Sequence, residues 1–424
     1  MAETPAHPLA GQVADHLFRH DGARIVALLT SHLGVRHLQL AEDVVQEALI
    51  RALQTWPYRG VPANPTGWLM QTAKHLALDQ LRREQRWQEK EPSIAHEHER
   101  WLPAPVAGET NHETFADDVL RLMFVCFHPQ LSTEAQTALA LRTLGGLSPA
   151  EIAAAFLTTE AAISKRLVRA RHRIRELALP FAVPEPGELP ARLTGVLGTL
   201  YLLFNEGYKA SAGDRLVREE LCHEAIRLAL LLAQHPATRE PRTHALLALM
   251  FLNAARLPAR TDDAGNLLRL HEQNRAAWDA SMIQRGIQHL ALATTGDALS
   301  EYHLEAGIAA CHSTAPDDAS TNWPRILQLY DQLLKLTASP VAAMNRAVAI
   351  ARVHGPQAGL DALNAITNRS SIEMVHLFHA IRGALAAELG NPVEALTHFR
   401  QAGNLAALPA ERDFIARRIR ECGG

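Results

Sequence analysis

The stretch from Gln136 to Glu176 constrains the fold most, because its pattern predicts two short helices separated by a tight turn. Apolar residues in the second helix follow each other at steps of four and three, so they form one stripe along it. They are Ile163, Leu167, Ala170, Ile174 and Leu177. Between Glu160 and Glu176 there are six Lys or Arg residues and two acids, and all six basic residues lie off the stripe.

The first helix of this pair has a well-marked start. Ser148 can act as its N-cap, Pro149 stands at the first helical position, and Glu151 follows three residues after the cap. Two short helices, the second basic on its outer face, are typical of a helix-turn-helix that offers cations to phosphates. The alternative is an ordinary helical hairpin with a basic, solvated face.

Composition predicts an all-α fold for the whole chain. Hydrophobic residues make up 47% of the 424 residues and aromatic residues 5%, with Ala and Leu far ahead of strand-forming types. The length indicates two or three domains. The net charge of −3 excludes a globally basic binder of nucleic acid, so any DNA contact must come from local clusters.

Compartment and chemistry can also be predicted. Four widely spaced cysteines, the absence of a signal-like N-terminus and the absence of a long apolar run predict a cytoplasmic protein without a membrane segment. The best metal-like fragments are Cys222-His223-Glu224, His271-Glu272 and Asp262-Asp263, and capping or surface polarity explains each of them better. We therefore expect no catalytic residues, no metal and no cofactor. The segment TDDAGNLLRLHEQNRAAWD combines loop acids with a polar helix start; we interpret it as a solvated loop, and the alternative is a cap of the contact between domains.

An acidic helix is predicted near the N-terminus, in LAEDVVQEAL. Leu40, Val44 and Ala48 give it an apolar stripe, continued by either Leu49 or Leu53. The opposite side is predicted to be exposed and suited to docking on a basic protein surface. Its residues are Glu42, Asp43, Gln46 and Glu47. A merely solvated face is the alternative.

A second helix begins at Gly67-Trp68, after a loop rich in Pro and Gly. An aromatic residue beside basic groups suits contact with an unstacked base, although composition alone favours a core position for Trp68. The basic or polar groups on this helix are Lys74, His75, Arg82 and Arg83. Asp79 is placed to tether one of the arginines at helical spacing.

Four motifs occur in this order: AEDVVQEAL, P-x-x-P-T-G-W-L, A-K-H-L-A-L-D-Q-L-R-R and the helix-turn-helix. Over roughly residues 11–178 the chain resembles a bacterial extracytoplasmic-function sigma factor, the two-domain class of RNA polymerase sigma subunits. The resemblance implies that the acidic face docks on core RNA polymerase and that Trp68–Arg83 opens and reads the −10 element of promoter DNA. It also implies that the second helix of the helix-turn-helix reads the −35 element. The −35 candidates are Thr159, Ser164, Lys165, Arg166, Arg169 and Arg171.

The sequence departs from the family pattern in three places. His75 follows Lys74 where Asn is usual, Leu157 stands where the turn usually holds Gly, and Ser164-Lys165 replaces a common Lys-Ser order. The departures bear on the exact base contacts and not on the class.

Five segments are predicted. Residues 11–83 form a region 2-like domain, 84–113 a flexible linker, 114–179 a region 4-like domain, 180–190 a Pro-rich linker and 191–424 a helical domain. In the last of these, VAAMNRAVAIARVHG-PQAGLDALNAI can be aligned with MVHLFHAIRGALAAELGNPVEALTHFRQA, so that Gly355 matches Gly390. This weak repeat resembles a tetratricopeptide repeat, which stacks helical hairpins.

The resemblance extends to sigma factors that carry such a helical extension, where it is thought to adjust sigma activity. It implies a non-enzymatic sigma factor whose partners are core RNA polymerase and promoter DNA, with an intramolecular contact of the C-terminal domain as a further possibility. The alternative is a one-component helix-turn-helix regulator with a helical sensor. Such a regulator needs neither the acidic face nor the Trp68–Arg83 segment.

Overall fold

The computed structural model describes residues 21–88, 112–156, 158–210, 217–262, 266–296, 298–367 and 372–423. Within these ranges the chain forms 18 α-helices and short 3₁₀ turns, and an isolated antiparallel bridge joins Thr261 to Leu267. The predicted all-α class is confirmed for them. None of the helices in these ranges is both long and apolar enough to cross a bilayer. The chain divides into two compact units, Met1–Leu203 and Phe204–Gly424.

Unit 1 contains the predicted helix-turn-helix, Pro149–Ala155 and Glu160–Leu177, together with the five described helices that precede it and the first part of the helix that follows. Its helices are α1 (residues 21–33), α2 (Leu38–Arg59), α3 (Pro65–Gln88), α4 (His112–Cys126), α5 (Thr133–Thr143), α6 (Pro149–Ala155), α7 (Glu160–Leu177) and the first part of α8 (Leu189–Tyr208). The helix predicted over 11–33 is seen from residue 21, and residues 11–20 lie outside the described ranges. Helix α3 runs five residues into the predicted linker 84–113, of which 89–111 is likewise not described.

Local hydrogen bonds explain where α6 and α7 begin. The Oγ of Ser148 accepts from Glu151 N at 3.2 Å, and Ser148 N donates to Glu151 Oε2 at 2.6 Å. This is the predicted capping box, which satisfies two backbone N–H groups that the helix itself leaves unpaired. Helix α7 is capped by Thr159, whose Oγ1 accepts from Ala162 N at 3.3 Å. Leu157, the departure noted in the turn, lies outside the described residues.

The apolar stripe of α7 forms part of the core of unit 1. Ile163, Leu167, Ala170 and Ile174 are at most 3% exposed. Helix α8 packs on the same unit: a Cβ built on Gly195 would lie 2.8 Å from the Phe127 ring. The division between the units therefore lies within α8, after the Pro-rich segment 180–190.

Unit 2 is a succession of helices. They are α9 (Glu219–Gln234), α10 (Pro241–Ala254), α11 (Ala280–Ala293), α12 (Glu301–Ser313), α13 (Trp323–Leu336), α14 (Pro340–His354), α15 (Pro356–Asn364), α16 (His376–Glu388), α17 (Pro392–Leu405) and α18 (Pro409–Glu421). The predicted repeat corresponds to the hairpins α14–α15 and α16–α17.

Glycines explain the geometry of both hairpins. Gly355 and Gly390, the matched positions, follow α14 and α16 with φ of +93° and +74°, a backbone conformation that strains other residues. Within the second hairpin, a Cβ on Gly383 would lie 2.9 Å from the Phe399 ring, so only glycine allows these helices to approach so closely. Phe399 is 1% exposed and anchors the cluster formed with Ala395 and Ala402.

Candidate nucleic-acid interface

The outward face of α7 presents the polar and basic side chains that the sequence singled out. Thr159, Ser164, Lys165 and Arg169 are exposed. Arg166 is half-buried because its guanidinium carbon lies 5.9 Å from the centroid of the Phe156 ring. Stacking on an aromatic face holds the guanidinium in place while leaving its N–H donors free to bind an anion.

Arg171 is the exception on this helix. Its Nε donates to Glu42 Oε2 at 2.7 Å, and its side chain is 15% exposed. The expectation that Arg171 stands free beside the other −35 candidates is therefore wrong for this arrangement of the chain. Arg171 lies toward the buried side of α7, one residue after the stripe position Ala170, and packing against α2 covers it.

Glu42 is the second correction, because it belongs to the acidic face that was predicted to be exposed. Only 5% of the residue is exposed. Thr143 Oγ1 donates to its Oε1 at 2.5 Å, and Arg171 occupies its Oε2. Both carboxylate oxygens are thus satisfied, as a buried charge requires. Glu42 shares a second buried line of α2 with Leu38, Val45 and Leu49. These four positions are spaced by four, three and four residues, a helical pattern in the sequence that indicates burial of Glu42.

The rest of the acidic face is solvent-accessible as predicted. Asp43 is exposed, Gln46 and Glu47 are partly exposed, and Glu47 Oε1 accepts from Arg51 Nε at 3.0 Å. Two large apolar side chains extend this face along α2: Ile50 is 48% exposed and Leu53 is 47% exposed. Sequence reasoning missed them because the position of Leu53 was left open between core and surface. We call Asp43, Gln46, Glu47, Ile50 and Leu53 the α2 outer face.

A contact between α2 and α7 joins the region 2-like and region 4-like parts of unit 1. Besides the buried bonds of Glu42, Arg175 Nη2 donates to Gln39 Oε1 at 3.4 Å on the surface. We call these five residues, Gln39, Glu42, Thr143, Arg171 and Arg175, the α2–α7 contact. The sequence contains no motif that marks Gln39 or Thr143 for it. Glu42 was predicted to bind core RNA polymerase and Arg171 to bind the −35 element, but in this structure the two side chains bind each other.

The start of α3 is organised by Asn64. Its Oδ1 accepts from Gly67 N at 2.8 Å, while Pro65 stands at the first helical position. This places Trp68 in the first turn, with its ring 5.6 Å from that of Trp56 in an edge-on arrangement. Trp56 is 3% exposed and Trp68 is half-buried. Trp68 therefore packs on the core and also keeps accessible surface.

A polar stripe follows Trp68 along α3. Gln71, His75, Asp79 and Arg82 are exposed at spacings of four, four and three. Gln71 Nε2 and His75 Nε2 are 3.2 Å apart, and Arg82 Nη1 lies 3.8 Å from Asp79 Oδ1, which is the predicted tether. Arg83 is also exposed, whereas Lys74 is half-buried. Helix α3 thus presents cations and one aromatic ring on an accessible surface.

The metal-like fragments have other partners. Glu224 is bonded to Arg227 at 2.6 and 2.8 Å, and Asp262 to Asn266. Burial raises the pKa of Glu272, but hydrogen bonds from Arg269 outweigh it and lower that pKa to about 2. Asp263 lies outside the described residues. In the ranges that the structure describes, no three His, Cys, Asp or Glu residues converge in a way that could hold a metal ion.

Two family models match the chain in the same order as the helices described above, the first over α2 and α3 and the second over α6 and α7. The model of Sigma-70 region 2 matches residues 17–87, and that of Sigma-70, region 4 matches residues 121–174. The chain belongs to the sigma-70 family. It is an extracytoplasmic-function-like sigma factor with a C-terminal extension, in which residues 192–294 match a family of unknown function, DUF6596. As a sigma factor it acts in promoter recognition.

One curated relative is similar over nearly the whole sigma factor. It is described as uncharacterized protein R00370 of Rhizobium meliloti (strain 1021) and is 38% identical over 381 residues, which cover 90% of this chain and 89% of the relative. No solved structure matches the chain.

Proposed function

We propose that this sigma factor binds core RNA polymerase, directs it to promoters with −35 and −10 elements and helps to melt the −10 region. The observation that carries the proposal is the region 2 match ahead of the region 4 match, each with an accessible cationic helix. A helix-turn-helix regulator needs only the second of them. In this role the chain performs no catalysis itself.

Each DNA element is assigned to one helix. On α7, Thr159, Ser164, Lys165, Arg166 and Arg169 face outward at the N-terminal half, where a recognition helix meets base edges and phosphates. On α3, Trp68 would stack on an unpaired base while Lys74, His75, Arg82 and Arg83 bind the backbone of the opened strand.

The α2 outer face is assigned to the polymerase. Three polar or acidic side chains and two exposed apolar ones continue over about three turns of α2. Apolar anchors within a charged surround are typical of a protein docking surface, where charge guides the approach and apolar burial supplies affinity. Glu42 becomes part of this face only if the α2–α7 contact opens.

Promoter binding requires that opening. The two elements are centred about 25 base pairs apart, which is roughly 85 Å along B-form DNA at 3.4 Å per base pair. Helices α3 and α7 cannot reach both elements while Glu42 and Arg171 are 2.7 Å apart. Because opening hydrates both charges at once, it avoids the unpaired buried charge that removal of one partner would leave. We infer that the described arrangement is a closed state of unit 1.

Run-off transcription with purified core polymerase tests the function, on a promoter upstream of the protein's own gene. We expect the full chain to direct initiation. A version ending at Ala210 keeps α8, whose first part packs on unit 1 at Gly195, and tests whether the C-terminal domain modulates activity, as the resemblance implies. Higher activity of the shorter version would assign inhibition to the extension, and lower activity would assign activation. Failure of the full chain to bind core polymerase or to transcribe would contradict the sigma role.

The −35 assignment makes a quantitative prediction about salt. Replacing Lys165 and Arg166 with Ala should weaken binding to duplex promoter DNA and reduce the slope of log K against log salt by about 0.9 per lost phosphate contact. Arg173→Ala is the matched control, because that exposed arginine of α7 is held by Glu176 of the same helix and by Gln130, which lies between α4 and α5. Equal slopes for the double variant and the original protein would remove the pair from the interface.

A further inference from the structure

Three arginines in the segment between α10 and α11 lie against two aromatic rings of unit 2, Trp278 of the same segment and Tyr208 at the end of α8. The guanidinium carbons of Arg256 and Arg275 lie 5.7 and 5.0 Å from the centroid of the Trp278 ring, which is 6% exposed. That of Arg260 lies 3.7 Å from the centroid of the Tyr208 ring, and Arg260 is 8% exposed. The second half of the stretch predicted to be a solvated loop is therefore packed around Trp278, which corrects that prediction.

Carboxylates balance only part of this charge. Arg275 donates to the backbone oxygens of His312 and Ala315 at 2.7 Å and lies 3.9 Å from Asp318. Arg260 Nη1 donates to Tyr208 O at 2.6 Å. Among the described residues, neither Arg256 nor Arg260 has a carboxylate within ion-pair distance. Within the part of the chain that the structure describes, these two largely buried positive charges therefore have no paired carboxylate, which is costly unless an anion joins them.

Three buried polar atoms of the cluster have no hydrogen-bond partner among the described residues: Arg256 Nε, Trp278 Nε1 and His312 Nδ1. Ser313 Oγ and Gln273 Oε1, which are close to them in sequence, also have none. Arg256 Nε and Trp278 Nε1 can only donate, and Nδ1 of a neutral imidazole can also donate. Each buried donor without an acceptor lowers the stability of the folded protein, so an acceptor that binds several of them at once would be stabilising.

The protonation of His312 reflects the positive potential. Burial is the largest cause of its lowered pKa, followed by the charges of Arg256 and Arg275, and together they bring that pKa to about 4. Burial and the two neighbouring arginines also lower the pKa of Arg256. The imidazole is neutral near pH 7, so it offers the cluster an unpaired hydrogen-bonding nitrogen and not a charge.

We propose that Arg256, Arg260, Arg275, Trp278 and His312 form a binding site for a phosphate group carried by a small molecule. The two uncompensated charges match a phosphate dianion. Its tetrahedral oxygens accept from donors that approach from several directions, whereas a planar carboxylate is suited to one guanidinium fork. The site consists of unit 2 residues, whereas α2, α3 and α7 belong to unit 1, so the proposal does not depend on the proposed promoter and polymerase contacts.

Thermal unfolding and calorimetric titration of the full chain test the site, with inorganic phosphate as the probe in chloride buffer of matched ionic strength. Phosphate at about 100 times its Kd should raise Tm by roughly 5 °C. Arg256→Met should abolish this rise while leaving Tm in chloride unchanged or higher, because it removes an uncompensated cation. Arg256→Lys keeps the charge but not the fork, and should weaken phosphate binding at least about tenfold.

Arg285→Met is the matched control. Arg285 also stacks on an aromatic ring of unit 2, with its guanidinium carbon 4.2 Å from the centroid of Phe251, and should keep the full response to phosphate. Three outcomes would overturn the proposal: no response of the original protein to phosphate, a response that Arg256→Met retains, or an equal response to succinate. The last would assign the site to carboxylates.

Discussion

A sigma factor crosslinked across the α2–α7 contact is expected to lose run-off transcription. Gln39 and Arg175 are suitable positions, because their side chains meet on the surface at 3.4 Å and neither was assigned to DNA or polymerase. Cysteines at both positions, joined by a short bismaleimide, would hold α2 beside α7. The roughly 85 Å between the promoter elements could then not be spanned, so activity should fall to background.

The single variants Gln39→Cys and Arg175→Cys, treated with the same reagent, are the controls and should stay active. They also account for the native cysteines, of which Cys126 and Cys222 are buried and Cys311 and Cys422 are partly buried. An untreated double variant should behave like the original protein. Undiminished transcription by fully crosslinked protein would show that α2 and α7 need not separate, and the closed-state interpretation would be lost.

Glu47→Lys is expected to abolish co-elution with core polymerase. The substitution reverses a charge in the centre of the α2 outer face, where a like charge opposite a basic partner surface repels it. The fold should persist, because the side chain of Glu47 is 46% exposed and its bond to Arg51 is a surface pair of small energetic value. Size-exclusion chromatography with core polymerase measures the effect, and circular dichroism checks the helices.

Glu188→Lys is the matched control for this experiment. Glu188 is also an exposed carboxylate of unit 1 paired with an arginine four residues later, Arg192, at 2.7 Å. It lies in the chain segment before α8 and should leave co-elution intact. If Glu47→Lys still co-elutes while remaining folded, the α2 outer face is not the docking surface.

Glu42 belongs to the α2–α7 contact in the closed state and joins the α2 outer face in the open state, which gives polymerase a way to favour the open state. In the closed state the residue is satisfied by Thr143 and Arg171, and its place on α2 adjoins Asp43 on the outer face. Polymerase that binds the outer face and also engages Glu42 has higher affinity for the open state, and so shifts the population toward it. The released Arg171 then becomes available for DNA.

The sequence by itself determined the helices and the class. The stripe of α7, the capping box at Ser148 and the cap at Asn64 depend on residues a few positions apart, so local periodicity and hydrogen bonding specify them. The same holds for the matched turns at Gly355 and Gly390, where the required backbone conformation favours glycine. The order of motifs was sufficient to identify the sigma-70 resemblance.

Only the tertiary structure decided which faces are covered. Glu42 and Arg171 are 129 positions apart, and although each lies beside apolar positions of its own helix, the local pattern does not identify the residue that covers it. The cluster around Trp278 likewise joins Arg256 and Arg275, from the segment between α10 and α11, to His312 of α12. Burial of a charged side chain depends on what another part of the chain places against it, and periodicity within one helix carries no information about that partner.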